Sequence, residues 1–123
     1  MAFSTVTLST RFGSKFAKET SATSTKVVVA TVASTLYSVE INNTANTSVN
    51  SFVKLYDKAT GSVTVGTTAP EVILKAPAAT TVTYQFDLGV AFGTGIVMAA
   101  LNSAGTAGTT SPGSAVIVKL VYD

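Results

Sequence analysis

Thr81-Val82-Thr83-Tyr84-Gln85-Phe86-Asp87-Leu88 decides the reading of this 123-residue chain. Val82, Tyr84, Phe86 and Leu88 alternate with Thr81, Thr83, Gln85 and Asp87. Successive strand side chains point to opposite faces, so this alternation marks a strand with one face buried. The same period recurs outward in both directions. Val116, Val118, Leu120 and Tyr122 alternate with Ala115, Ile117, Lys119 and Val121, and Tyr37, Val39 and Ile41 alternate with Ser38, Glu40 and Asn42. Val, Ile and Thr are branched at Cβ and suit a pleated surface.

Eight strands are expected, at roughly residues 3–10, 25–32, 35–43, 51–57, 71–76, 80–88, 94–101 and 114–122. Ile96-Val97-Met98-Ala99-Ala100-Leu101 is apolar on both faces. It reads as a central strand, or as one whose outer face meets another subunit. Turn residues separate the strands: Asn42–Thr47, Asp57–Gly61, Ala76–Ala79 and the long uncharged stretch Ser103–Gly113, which reads as mobile or pinned by a neighbour. Closely spaced strands with few helix signals predict an all-β chain, a single antiparallel β-sandwich of jelly-roll or Ig-like Greek-key connectivity. Phe12 and Phe16 are four apart, but Ser, Thr and Gly dilute any helical face, so residues 1–24 read as an N-terminal strand or extended arm and 25–123 as the sandwich.

Composition narrows the chemistry. Cys, His and Trp are all absent, which excludes disulfides, thiolate metal sites, thiol nucleophiles and the commonest general base. Ser and Thr total 34 residues while charged residues are 11% of the chain. A chance Ser–Lys proximity therefore means little. Glu40, Asp57, Glu71 and Asp87 read as solvated surface rather than as a converging pair of acids. Gly89-Val90-Ala91-Phe92-Gly93-Thr94-Gly95 lacks phosphate-loop spacing and reads as strand-end turns. Asn42, Asn43 and Asn46 supply no carboxylate for calcium, and their two glycosylation patterns are taken as chance. The expectation is a protein that is not an enzyme and carries no cofactor or metal.

The charge is uneven. Residues 1–26 hold Arg11, Lys15, Lys18 and Lys26 against Glu19, and the remainder is nearly neutral. A near-neutral body does not suit nucleic acid, and no apolar run approaches the ~20 residues that cross a bilayer. The start has no basic segment followed by an apolar one, which predicts synthesis and use without export. Few charges and a mean hydropathy of +0.44 make a surface that is easy to desolvate, so it is expected to be covered by copies of itself or by a larger partner.

Leu36–Asn46, Phe52–Ala59, Val65–Leu74, the strand Val82–Leu88 and the turn Gly89–Ile96, in this order, resemble small β-sandwich virion proteins of tailed bacteriophages, cyanophages included. The resemblance covers residues 35–122. It implies a virion structural protein, foremost a capsid decoration (cement) protein on the outside of the major capsid protein shell, assembled in the bacterial cytoplasm and forming homo-oligomers, trimers above all. A tail, baseplate or fibre-associated module is the alternative. Such proteins have no catalytic residues to carry over. On that reading Arg11, Phe12, Lys15, Phe16 and Lys18 are expected at the shell contact. Ile96, Met98, Gly105 and Pro112 are expected where subunits meet.

Overall fold

The computed structural model describes residues 13–123. It holds eight strands: β1 (Lys15–Ala22), β2 (Val27–Ala30), β3 (Ser34–Asn42), β4 (Ser51–Tyr56), β5 (Val72–Ala76), β6 (Thr81–Phe92), β7 (Ile96–Leu101) and β8 (Val116–Tyr122). A single 3-10 turn, Thr60–Ser62, lies between β4 and β5. Sheet A has the order β1-β8-β3-β6 and sheet B the order β2-β7-β4-β5, with every neighbour antiparallel.

The pairs β1·β8, β2·β7, β3·β6 and β4·β5 nest inside one another, as if one long hairpin had been wrapped into two layers. That is the jelly-roll order, and it decides between the two connectivities that the alternation left open. Seven expected strand windows hold a strand, and the eighth, 3–10, lies outside the described residues. The alternation of β8 holds: Val116, Val118 and Leu120 are buried. They meet Leu36, Val39 and Ile41 of sheet A and Val53, Leu55, Leu74, Ile96, Met98 and Ala100 of sheet B in one core. Burying each such side chain contributes about 1.5–3 kcal/mol.

Three expectations are corrected. Of the N-terminal strand or arm, Lys15–Ala22 is an edge strand hydrogen-bonded to β8, so the sandwich takes in residues before 25. Ala17 and Ala22, small enough to sit over the core, turn inward on it, and they carry too weak an apolar signal to mark a strand. Tyr37 does not share a face with Val39 and Ile41. Leu36 pairs with Tyr122 and Ser38 with Val121, so Tyr37 is an extra residue in β3, and Leu36 takes the inward place. Leu88 does not continue the inward face of β6. Leu36 pairs with Val90 and Ser38 with Gln85, so β6 bulges across residues 86–89. Gly89 takes φ +76° there, and Leu88 is pushed out to 82% exposure.

Candidate interaction surfaces

The middle of sheet B's outer face is covered by the chain itself, while Val28 and Ile73 on its two edge strands stay exposed. Phe52, Lys54 and Tyr56 alternate with the inward Val53 and Leu55, so Lys54 and Tyr56 point outward, yet both are fully buried. Tyr56, Val63, Val97 and Ala99 form a second apolar cluster, with Val65 packed against it. Two loops, 57–71 and 102–113, make this roof, and they touch where Gly66 meets the Thr109 methyl. Lysines hold them from below. Lys26 Nζ donates to the carbonyls of Thr60 and Val63, and Lys54 Nζ donates to the Gly105 carbonyl. Burial pulls the Lys54 ammonium below its ordinary pKa. The second loop is further fixed by Asn102 N–H on Thr110 O and by Ser24 N–H on Ser111 Oγ.

The two ends of the sandwich are closed by polar residues. Beside the start of β4, the buried Asn43 amide donates to Val49, Ala76 and Pro77 carbonyls and accepts from Asn46 Nδ2 and Ser51 Oγ. Asn46 in turn donates to Ser114 O and accepts from Ser114 N–H. Past the other end of β4, Asp57 accepts the N–H groups of Gly93, Thr94 and Gly95 at 2.9, 2.8 and 3.4 Å. The Thr94 N–H leads in holding this carboxyl below its usual range, with Gly93, Gly95 and the Lys58 cation adding to it against partial burial. Asp57 is thus a clamp on the β6–β7 turn rather than a solvated acid.

Sheet A is the open side. Its outer face reads in cross-strand rows: Phe16, Val121, Ser38 and Gln85 in one, Lys18, Lys119, Glu40 and Thr83 in the next. Phe16 is 63% exposed, and Lys18, Thr83 and Gln85 are exposed. Lys119 Nζ lies 3.6 Å from Glu40 Oε1, the one ion pair among the described residues. Lys15, at the strand's end, places its Nζ 5.9 Å from the centroid of the Tyr122 ring.

Comparison with protein families, characterised proteins and solved structures found no match to this chain. The surfaces therefore carry the functional argument.

Of the residues singled out by sequence, Arg11 and Phe12 lie outside the described residues. Phe16 and Lys18 share the outer face of β1 with Val121 and Lys119 of β8, while Lys15, paired with Tyr122, lies on the other face. Ile96 and Met98 are corrected: they lie in the inter-sheet core at 0% and 1% exposure, so no subunit contact reaches their side chains. The outer residues of that strand meet the chain's own loops instead. Pro112 is buried under the same roof, whereas Gly105 is exposed with open space beside its Cα. Sequence reading missed Lys54, and its signal was the Phe52–Lys54–Tyr56 alternation, which sets a lysine between two aromatic rings on one face. Among the described residues, no three His, Cys, Asp or Glu side chains group to hold a metal, and no helix is long and apolar enough to cross a membrane. The Lys26 and Lys54 ammonium groups are bonded to backbone carbonyls rather than to Ser or Thr hydroxyls.

Proposed function

We propose that this chain is a structural component of a bacteriophage particle, a decoration protein that binds the outside of the capsid shell and stabilises it. The observation that supports this most is the asymmetry of the sandwich. Sheet B is roofed by its own loops, while sheet A presents an open edge and a face with one ion pair among the described residues. Such a face loses little hydration when another protein covers it. The resemblance of residues 35–122 to phage sandwich proteins points the same way. Jelly rolls also occur in coat proteins, though the fold is shared by lectins and other proteins. Three copies held together would engage three shell sites at high effective concentration, so weak individual contacts would suffice.

The test is copy number and position. Quantitative mass spectrometry of purified particles, with antibody labelling in electron micrographs, is expected to give hundreds of copies spread over the head. A few copies confined to the tail or one vertex would move the chain to the tail, baseplate or fibre. Its absence from particles would overturn the structural reading.

A further inference from the structure

We propose that the open edge of β1 is a docking site for an extended, acidic segment of a partner protein, which adds to sheet A as a fifth strand. This rests on the reading of the chain as a component that is covered by a larger partner, and it names the surface and the chemistry of the contact.

Three observations carry it. First, β1 is hydrogen-bonded to β8 on one side and ends the sheet on the other, so among the described residues its second row of backbone N–H and C=O groups has no strand beside it. An added strand satisfies such a row through main-chain bonds, and its alternate side chains meet the face of the sheet. The opposite edge of sheet A is less suitable, because β6 bulges at residues 86–89 and its Tyr84 hydroxyl is bonded to Lys75 O of the other sheet.

Second, the charge is one-sided. Lys18 lies across from Lys119 in the strand register, and Glu40 is the single carboxylate in that row. Lys15, paired with Tyr122, lies on the other face of the same edge. Of the nearby acids, Glu19 is paired with the buried Val118 and so lies on the other face, its carboxylate accepting Ser21 N–H, and Asp123 accepts Ser14 Oγ–H. Neither Lys15 nor Lys18 has an ion-pair partner among the described residues. Lysines on an edge strand disfavour pairing with another copy of the same edge. They favour a strand that brings carboxylates, because opposite charges across a ladder attract.

Third, Phe16 stands 63% exposed beside Val121 on the outer face. A ring so placed gains burial when a neighbouring strand sets an apolar side chain beside it, and aromatic anchors dominate binding once desolvated. The matching segment therefore alternates: an acidic residue opposite Lys18, an apolar one opposite Phe16.

The test is selection from a random peptide library against the full chain. The expected outcome is enrichment of segments in which Asp or Glu recurs with apolar residues at period two. Binding should weaken with salt, shift amide resonances of β1 and β8, and fall about tenfold in Lys18→Glu, because a close opposite charge becomes a like one. Phe16→Ser, at an exposed position, should weaken it as well while leaving the fold intact. Failure to enrich any segment, enrichment of basic or uncharged ones, or binding insensitive to both substitutions would overturn the proposal. So would tighter binding to a single-stranded oligonucleotide or to anionic lipid vesicles than to the selected peptides, or self-association that protects β1 amides from exchange. A chain abundant on particles that selects no acidic segment loses this edge assignment but keeps its structural role. A chain missing from particles that still selects such segments does the reverse.

Discussion

The carboxylate of Asp57 accepts three successive backbone N–H groups from the β6–β7 turn, and the lysines at 26 and 54 donate to loop carbonyls. In this chain several of the few ionic side chains act on backbone rather than on each other. The Lys119–Glu40 pair has both side chains 40% exposed and contributes little, since water screens it. The Asp57 clamp is worth more, because hydrogen bonds to a charged acceptor contribute about 1.5–3 kcal/mol. Asp57→Asn should lose roughly that amount in urea unfolding at pH 7. The folded carboxyl titrates below its unfolded value, so its stabilisation is full above about pH 4 and is lost as the pH falls through the folded pKa. The gap between the two proteins should therefore close in acid. An equal gap at neutral and strongly acid pH would rule the clamp out.

At the scale of elements, the bulge of β6 and the roof over sheet B make separate predictions. Gly89 sits at φ +76°, and a Cβ there would collide with the Thr35 methyl. Gly89→Ala should cost about 1–3 kcal/mol in thermal or denaturant unfolding. Gly61→Ala, where no atom lies within 4 Å, should change stability by under about 0.5 kcal/mol. Lys54→Met removes the donor to Gly105 O. Amide exchange should quicken across residues 103–113 and stay unchanged in β3 and β8. The unfolded chain keeps the Lys54 proton to higher pH than the folded one, so in the wild type this group adds stability as the pH rises toward about 10. The Met variant should lack that rise. Much of this level is legible in sequence: Val116–Tyr122 alternates without interruption and forms a strand with that facing. The roof is not legible, because the loops are runs of Gly, Ala, Thr and Ser without a period, and their anchor is a buried lysine remote in sequence. β1 is half legible. Lys15, Phe16 and Lys18 stand out as a surface, but Ala17 and Thr20 hide the strand that presents them. The clamp at Asp57 depends on a turn 36 residues away and has no local signal.

For the whole molecule, the roof covers the middle of sheet B and the outer face of sheet A stays open beside β1, while Val28, Val32, Ile73 and Leu88 stand exposed elsewhere. Sequence composition, low in charge throughout, does not tell one face from another; the loops packed on Tyr56, Val97 and Ala99 separate the roofed sheet from the open one. The nested strand order fixes how the chain must find itself. Lys15 pairs with Tyr122, and Ser14 Oγ donates to Asp123 Oδ1 at 2.7 Å, so the first and last strands of the sandwich meet only after nearly the whole polypeptide has come together. High contact order of this kind slows folding to milliseconds or seconds. Linking residue 123 to residue 13 through a few glycines, and reopening the chain at the exposed Thr31–Ala33 connection, would turn β1 and β8 into an ordinary hairpin while keeping the sheet order. Stopped-flow refolding of this circular permutant should be faster than that of a parent chain that begins at residue 13. A rate equal to or below the parent's would mean that closing the outermost pair does not limit the search. The same adjacency means that a tag placed after residue 123 emerges beside β1, next to the edge proposed for docking.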